Sequence, residues 1–297
     1  MKVSVLMPTY NHEKTIAQAI ESFLAQRCTF PIELCICDDA STDATPKIAA
    51  KYQQQYPNQI TFIAKPVNQG LMRNYQTLLS VAKGQYLSIL ESDDYWTDPL
   101  KLQKQVDFLD ANEEYGLSFT RVSFWQDGVL KQAKNVEEVV AKHANDLYSY
   151  MVLRIIIYSP TTCFRRSLLD AYCHVDAYVR LDFKTFDYPV WLSLARFSKV
   201  HYLPDDTAVY RISGASISNT SDVSKRLKFE LAVIKIRHYV VGLYGTGCLS
   251  LRAIRRREAV VSARILWRHK RPLHAAYYFF ATLLGIVHSN KQVVAKK

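Results

Sequence analysis

The sequence predicts an α/β fold in which a mostly parallel sheet is flanked by helices. In the first hundred residues, short apolar runs rich in Val, Ile and aromatic side chains alternate with segments of helical spacing. This alternation is typical of parallel sheets, because each connection between neighbouring strands crosses over as a helix. The composition agrees: hydrophobic residues make up 49% of the 297, with only 9 Gly and 10 Pro, which predicts a globular chain.

The predicted elements of this first part follow in a regular order. The apolar runs predict strands at residues 2–7, 32–37, 60–64 and 86–90. The segments between them predict helices at residues 13–26, 44–56 and 71–82. Together they predict strand–helix–strand units whose helices cover both faces of the sheet.

The rhythm changes near Tyr115, where the sequence divides into three regions: 1–115, 116–220 and 221–297. The middle region predicts a strand from Tyr115, helices at residues 146–153 and from Asp187 onward, and two short strands with a loop in residues 199–216. The last region predicts helices at residues 222–241, 251–270 and 273–287.

The net charge of +11 is concentrated in the last region. Residues 221–297 hold 16 Lys/Arg and 3 Asp/Glu, whereas residues 1–220 hold 22 and 24. This asymmetry predicts an anionic surface as a partner. Nucleic acid is not expected, because no recognisable nucleic-acid-binding module accompanies the charge.

A membrane surface suits this basic region better than a spanning segment does. Its longest apolar run, residues 275–287, is shorter than the ~20 residues needed to cross a bilayer. A basic helix followed by an aromatic and aliphatic one is typical of helices that lie among lipid headgroups. The alternative is that these helices pack on the rest of the chain, or in an oligomer, with their charges in water.

The start of the chain and its cysteines predict a cytosolic protein. The first strand begins at residue 2, which leaves no room for a signal peptide. The six cysteines form no C-x-x-C pair, and we interpret them as small buried hydrophobic residues of a reducing compartment: Cys28, Cys35, Cys37, Cys163, Cys173 and Cys248.

Polar and acidic residues follow each of the four predicted strands of the first region. Ligands of parallel sheets bind outside the carboxyl ends of the strands, so these residues should meet at one edge. In chain order the four segments are "PTYN" (8–11), Asp38-Asp39, "KPVNQG" (65–70) and Glu91-Ser92-Asp93-Asp94. Their convergence predicts a ligand site.

The acidic segment predicts a divalent-cation site. Carboxylates crowded at the end of a buried strand repel one another unless a cation lies among them, and their hard oxygens suit Mg²⁺ or Mn²⁺. The alternative is a solvated helix N-terminus, with Asp98 as its cap and Pro99 at the first helical position. That alternative accounts for Asp98 but not for Glu91, Asp93 and Asp94.

The other strand ends suit a nucleoside diphosphate. Tyr10 could stack on a base and Thr9 could hydrogen-bond it, although an ordinary strand-to-helix turn would look the same. Asp39 could accept hydrogen bonds from a pyrimidine edge or cap the following helix. The segment "NQGLMRN" offers a turn at Gly70 and then a helix N-terminus with Arg73, a combination that suits phosphate groups.

Four segments in the right order resemble the inverting glycosyltransferases of family 2, which have the GT-A fold. They are "VSVLMPTYN", "CDDASTD", "NQGLMRN" and "ILESDDYWTDPLKLQKQVDFL", and the resemblance extends over roughly residues 1–215. It implies a nucleotide-sugar donor, a UDP-sugar above all, a Mn²⁺ or Mg²⁺ cofactor and inversion in one step. Regions 1–115 and 116–220 would then be the donor-binding and acceptor-binding halves of one GT-A domain.

The resemblance also assigns roles to individual residues. Asp93 and Asp94 would bind the metal, and which of them is the closer ligand stays open. The donor would contact Pro8, Thr9, Tyr10, Asp39, Asn68, Gly70, Arg73 and Glu91. Glu91 stands where Asp is more usual.

The resemblance places the catalytic base in "KTFDYPVWLSLA", which makes Asp187 the candidate and Asp182 its nearest rival. Phe186 stands where the family often has Glu, and this apolar neighbour would raise the pKa of Asp187 by desolvation. The alternative is that Asp187 caps the helix that begins near Pro189.

The segment "YRISGASIS" resembles the family's loop over the diphosphate. Arg211 would neutralise the leaving group there, unless it only forms a surface ion pair. Ser213 replaces a His that is common in the family.

These features predict a metal-dependent, inverting and non-processive glycosyltransferase of bacterial polysaccharide or lipopolysaccharide type. It would act on a hydroxyl of a cell-surface glycan or of its lipid-linked precursor, at the inner face of the cell membrane. Processive members carry Q-x-x-R-W and several spanning helices, which the sequence lacks. The alternative function is a non-catalytic nucleotide-sugar-binding scaffold of a glycan assembly complex, which the changes at Glu91, Phe186 and Ser213 would permit.

Overall fold

The computed structural model describes residues 1–133, 135–212, 222–268, 275, 276 and 279. Two compact units divide the chain. Unit 1 consists of residues 1–142 and 156–211, and unit 2 consists of residues 143–155 and 212–297.

Within the described residues, the strands of unit 1 form one nine-stranded sheet in the order β3-β2-β1-β4-β8-β6-β9-β5, with β7 paired to β6. The strands are β1 Val3–Thr9, β2 Ile32–Asp38, β3 Ile60–Ala64, β4 Tyr86–Ile89, β5 Tyr95–Trp96, β6 Tyr115–Gln126, β7 Val129–Gln132, β8 Thr162–Arg165 and β9 Lys199–Arg211.

The direction of the strands brings most carboxyl ends to one edge. β1, β2, β3 and β4 are mutually parallel, and β9 is parallel to β6. β8 is antiparallel to both β4 and β6, so these two run in the same direction. The carboxyl ends of β1, β2, β3, β4, β6 and β9 therefore share an edge, which we call the site edge.

In the described part of the chain, seven helices of unit 1 connect and cover these strands. They are α1 Ile16–Leu24, α2 Thr45–Gln55, α3 Leu71–Val81, α4 Lys101–Ala111, α5 Val136–Lys142, α7 Arg166–Tyr172 and α8 Val175–Arg180, and the long connection to β9 adds an eighth, α9 Asp187–Phe197. β1 is buried along its whole length, because helices cover the centre of the sheet on both faces. The α/β fold predicted from the alternating pattern is confirmed.

Unit 2 is helical in its described residues and contains α6 Leu147–Leu153, α10 Val223–Tyr244 and α11 Leu251–Arg268. A buried ion pair joins α10 to α11, with Arg237 Nη1 3.0 Å from Glu258 Oε1. Arg237 Nε also donates to the carbonyl oxygen of Val152 in α6. Because both charged groups are buried and hydrogen-bonded, removing either partner alone would be strongly destabilising.

Several predicted elements differ from those observed. Residues 199–211 form one continuous strand rather than two, because β9 pairs with β6 throughout and absorbs its irregularities as register shifts. α4 begins at Lys101, and Asp98 instead accepts a hydrogen bond from the Leu100 N–H at 2.8 Å. Cys248 is exposed, so its interpretation as a buried residue is wrong.

Two expectations fall on residues without a description. The helix predicted at 273–287 lies almost entirely outside the described residues, and so does Ser213. In the described part of the chain, no helix combines the length and the apolar character needed to cross a bilayer.

Candidate active site

Three carboxylates meet directly after β4, at the site edge. The side-chain oxygens of Glu91, Asp93 and Asp94 lie within 4.8 Å of one another. Glu91 and Asp93 are half-buried and Asp94 is buried. Burial, together with the negative charges of Asp93 and Asp187, raises the pKa of Glu91 to about 8. Without a cation, the cluster is therefore an electrostatically unfavourable arrangement.

Asp94 has one engaged and one unengaged oxygen. Its Oδ1 accepts a hydrogen bond from the Arg211 N–H at 2.8 Å, whereas its Oδ2 is buried without a hydrogen-bond partner among the described residues. An unsatisfied buried carboxylate oxygen costs free energy unless something binds it. The three carboxylates, with this unengaged oxygen of Asp94 among them, fit a hard divalent cation.

Tyr75 of α3 lies between the acidic cluster and Asp187, the predicted catalytic base. Its hydroxyl donates to Glu91 Oε1 at 3.2 Å, and its ring stacks on Phe186 with centroids 4.0 Å apart. The charges of Glu91, Asp187 and Asp93 all raise the pKa of the Tyr75 hydroxyl, after burial itself. The acidic cluster and Asp187 therefore lie around one buried tyrosine.

Asp187 is the first residue of α9, and three hydrogen bonds hold its carboxylate in place. It accepts hydrogen bonds from the Tyr188 N–H at 2.7 Å, from Ser159 Oγ at 3.2 Å and from Thr185 Oγ1. Burial raises its pKa to about 6, and the hydrogen bonds from Tyr188 and Ser159 oppose this shift. A half-buried carboxylate with this pKa suits a general base near neutral pH.

Asp182, the rival candidate, is 76% exposed at its side chain and pairs with Lys184 in solvent. It also has a left-handed backbone conformation, with φ of 51°.

The predicted base-binding residues lie where β1 and β2 reach the site edge. Pro8 and Thr9 end β1 and are buried, while Tyr10 directly after them is 45% exposed. Thr9 Oγ1 is a second buried oxygen without a hydrogen-bond partner in the described part of the chain.

Asp39 organises the loop that follows β3. Its carboxylate oxygens accept hydrogen bonds from the Gln69 N–H at 2.9 Å and the Gly70 N–H at 2.7 Å, and Lys65 Nζ lies 4.0 Å from Oδ1. Capping of α2 falls instead to other residues, since Asp43 accepts from the Thr45 N–H at 2.9 Å. Asp39 therefore couples the end of β2 to the start of α3.

Gly70 immediately precedes α3 with φ of 85°, a conformation that side chains other than glycine rarely adopt. Asn68 and Arg73 flank it and are exposed. The start of α3 thus carries two exposed polar side chains, while the Asp39 carboxylate binds the N–H groups of the turn before it.

Arg211 ends β9 beside the acidic segment. Its guanidinium donates to the Asp93 carbonyl oxygen and to Gln18 Oε1, and lies over the Tyr95 ring at 4.6 Å. Among the described residues, its guanidinium therefore binds a carbonyl and an amide oxygen rather than the carboxylate of a surface ion pair, the alternative considered for it.

Sequence reasoning missed Tyr75, Ser159 and Gln18. Gln18 lies in α1 and Tyr75 in α3, where helical periodicity marks positions as buried or exposed but does not identify partners. Ser159 precedes β8, a four-residue strand too short to give a pattern.

Residues 4–173 match the family model described as glycosyl transferase family 2. An uncharacterised protein of Mycobacterium tuberculosis is 35% identical over 230 residues, which cover 77% of this chain and 64% of the relative. The Escherichia coli protein named UDP-Glc:alpha-D-GlcNAc-diphosphoundecaprenol beta-1,3-glucosyltransferase WfaP is 35% identical over 129 residues, or 43% of this chain and 49% of that protein.

Solved structures share the fold. TarS of S. aureus in complex with UDP-GlcNAc superposes with a TM-score of 0.61 at 17% identity, over 95% of this chain and 82% of that one. The mannosyltransferase PcManGT from Pyrobaculum calidifontis, in complex with GDP-Man and Mn²⁺, has a TM-score of 0.54 at 17% identity, over 98% and 88% of the two chains. The chain has the GT-A fold and belongs to glycosyl transferase family 2.

Proposed function

We propose that the protein is an inverting glycosyltransferase that moves a sugar from a UDP-sugar to a hydroxyl of a cell-surface glycan or its lipid-linked precursor, with a divalent cation bound at Glu91, Asp93 and Asp94. The observation that carries the proposal is the buried, unpartnered Oδ2 of Asp94 within this acidic cluster. One relative named for transfer from UDP-Glc, and neighbours solved with UDP-GlcNAc or with GDP-Man and Mn²⁺, support it.

The site edge offers separate groups for the nucleobase and for the diphosphate of the donor. Tyr10 presents an exposed ring, and Thr9 Oγ1 and the Asp39 carboxylate offer hydrogen-bonding atoms next to it. The first turn of α3 and the exposed Arg73 guanidinium in it suit the negative phosphates. Asp93 and Asp94 would hold Mn²⁺ or Mg²⁺ with Glu91, and the cation would neutralise charge on the departing diphosphate.

The reaction needs a general base for the acceptor hydroxyl and a positive charge beside the departing diphosphate. In our proposal, the Asp187 carboxylate takes the proton of the acceptor hydroxyl as its oxygen bonds to the anomeric carbon. The bond from that carbon to the donor phosphate breaks, and the nucleoside diphosphate leaves with the electron pair. The Arg211 guanidinium stabilises the developing negative charge.

A donor panel tests the proposal. Purified protein would be incubated with UDP-glucose, UDP-galactose, UDP-GlcNAc and GDP-mannose, with Mn²⁺, Mg²⁺ or EDTA, and release of nucleoside diphosphate would be measured. We expect slow metal-dependent hydrolysis of at least one UDP-sugar, because water replaces a missing acceptor. Binding of a donor without any release would favour the scaffold alternative, and the absence of both would exclude nucleotide-sugar chemistry.

The basic surface of α11 supports attachment to an anionic membrane at its inner face. Arg252, Arg255 and Arg256 are exposed, and so are the large apolar side chains of Leu251 and Trp267 at the two ends of the helix. A cavity of about 650 Å³ beside them is lined by Arg252, Arg256 and Arg257 together with Ala253, Val260 and Phe279. Guanidinium groups next to apolar side chains suit lipid headgroups and the acyl chains below them.

Vesicle sedimentation tests this attachment. The full chain should bind vesicles of phosphatidylcholine with about a quarter phosphatidylglycerol, and not phosphatidylcholine alone, because anionic lipids attract basic segments. Replacing Arg252, Arg255 and Arg256 by Gln should abolish binding. The matched control replaces the exposed Lys14, Lys47 and Lys51 of unit 1 by Gln, removes the same charge and should bind normally. Equal loss in both variants would contradict a role for α11.

A further inference from the structure

Three aromatic rings contact one another at the part of the site edge formed by β6 and β9. Phe124 contacts Tyr158 at 5.0 Å between centroids and Tyr210 at 6.2 Å, and Tyr158 lies 5.4 Å from Tyr210. The interplanar angles of 77°, 77° and 58° show edge-on and tilted contacts. We call this group the aromatic cluster. The nucleotide-binding residues described above do not include any of its members.

The sheet topology brings the cluster to the same edge as the acidic carboxylates. Phe124 and Tyr210 are register partners near the carboxyl ends of β6 and β9. Both strands run in the direction of β4, which ends just before Glu91. Tyr158 lies before β8. Because β8 runs in the opposite direction to β6, its amino end, and Tyr158 with it, lies at the same edge.

Each tyrosine of the cluster is a chain neighbour of a residue that holds the reaction groups. Tyr158 directly precedes Ser159, whose hydroxyl donates to Asp187 at 3.2 Å. Tyr210 directly precedes Arg211, whose N–H donates to Asp94 at 2.8 Å. Tyr158 and Tyr210 are therefore each one residue along the chain from a group that contacts Asp187 or the acidic segment.

The cluster is not a closed core. All three rings are half-buried, although their strand neighbours Val122 and Ala208, two residues earlier on the same faces, are buried. Trp125 beside Phe124 is 40% exposed. Aromatic surface that stays open at a functional edge is typical of a ligand-binding surface rather than of packing alone.

We propose that Phe124, Tyr158 and Tyr210 form the acceptor subsite, which binds a pyranose ring by stacking and places one of its hydroxyls at Asp187. The inference rests on the proposed function, because Asp187 is the base there. A pyranose presents C–H groups on one face and hydroxyls around its rim, so aromatic rings bind the face while polar groups orient the rim. This subsite fits the acceptor, since the nucleotide residues lie at β1, β2 and α3.

The test separates acceptor binding from donor chemistry. The probes are the methyl glycosides of glucose, galactose, N-acetylglucosamine and mannose, which contain no aromatic group of their own. Saturation-transfer NMR on the intact protein with UDP and Mn²⁺ should detect at least one of them. The same glycoside should accept sugar in a transfer assay, with KM as the readout.

Tyr158→Ala and Tyr210→Ala should each raise the acceptor KM by about tenfold, a loss of about 1.4 kcal/mol of binding. Tyr158→Phe and Tyr210→Phe keep the rings and should bind nearly as wild type. Donor hydrolysis and UDP binding should be unchanged in all four variants. The matched control is Tyr202→Ala, which removes another aromatic of β9, paired with Phe119 at 5.1 Å and far from the site edge.

Three results would overturn the proposal: no glycoside gives saturation transfer with wild type, the two alanine variants keep the wild-type acceptor KM, or they lose UDP-sugar binding to the same degree. The last result would assign the rings to the donor. Absence of donor hydrolysis in the wild type would instead refute the proposed function, so the two failures are distinguishable.

Discussion

The backbone N–H of Arg211 donates to Oδ1 of Asp94 at 2.8 Å and thereby fixes the orientation of this carboxylate. The donor is the last residue of β9, and the acceptor lies three residues after the acidic segment begins at Glu91. Because Oδ1 is engaged, Oδ2 is the oxygen left for a ligand. Any residue other than proline at position 211 keeps this backbone donor, so substitutions that test the contact are made at Asp94.

Asp94→Asn should therefore impair metal use. An amide at this position loses one charge and binds a hard cation poorly, so the Mn²⁺ concentration for half-maximal donor hydrolysis should rise by more than about tenfold. The matched control is Asp98→Asn, which removes the ion pair to Lys104 at 2.8 Å but keeps an oxygen that can accept from the Leu100 N–H. Asp98→Asn should keep the wild-type Mn²⁺ dependence, and equal effects at both positions would argue against a specific role for Asp94.

Asp187 should impose an acidic limit on the reaction. Burial raises its pKa to about 6, and only the ionised form can take a proton, so transfer should fall as pH drops below about 6 and level off above it. Asp187→Asn should lower kcat by about 10²–10⁴ while UDP binding persists, since Asn can still accept from the Tyr188 N–H. Near-normal transfer by this variant, or a profile without an acidic limb, would exclude Asp187 as the base.

Gly70 should be required for its backbone conformation. Gly70→Ala introduces a Cβ that meets no atom within 4 Å, so its cost is the left-handed φ alone, about 1 kcal/mol of unfolding free energy. Gly128→Ala in the β6–β7 turn has the same φ class and the same open space. Denaturant unfolding should show similar losses for both variants, whereas UDP binding should weaken only for Gly70→Ala. Equal UDP binding in the two would contradict a role for this turn in donor binding.

Lys101 should make stability depend on pH. Its ammonium is buried, near Gln105 Oε1 at 2.8 Å, and burial lowers its pKa to about 7 from 10.5. Between these values the unfolded chain holds a proton that the folded protein does not, so this group makes the protein more stable as pH rises from about 7 to 10.5. Below pH 7 both states are protonated and the full cost of burying the charge remains.

Lys101→Met removes that cost. The quantity to compare is the unfolding free energy of the variant minus that of the wild type. This difference should be larger at pH 6 than at pH 9, by more than about 1 kcal/mol. Guanidinium unfolding at both pH values measures the difference, in which all other titrating groups cancel. An identical difference at the two pH values would show that Lys101 keeps its proton when folded.

The sequence predicted the location of polar and acidic residues that come directly after a strand. The segments after β1, β2 and β4 could be placed at one edge because parallel strands must align their carboxyl ends, and this argument needs no knowledge of distant contacts. The structure places Asp94 and Asp39 there accordingly.

Features set by distant pairing could not be predicted. β5 has two residues and β8 four, too few for periodicity, and each exists because a remote strand pairs with it. The assignment of residues 143–155 to unit 2 likewise depends on contacts such as Arg237 with Val152, 85 positions apart. The stacking of Tyr75 in α3 on Phe186, which directly precedes α9, joins two segments whose own patterns indicate only burial.

Calorimetric titration of UDP into the wild-type protein, with Mn²⁺ and then with EDTA, tests the central claim most directly. If the carboxylates after β4 hold a cation that bridges to the diphosphate, Mn²⁺ should tighten UDP binding by at least about tenfold. The same UDP affinity in EDTA as in Mn²⁺ would contradict the claim.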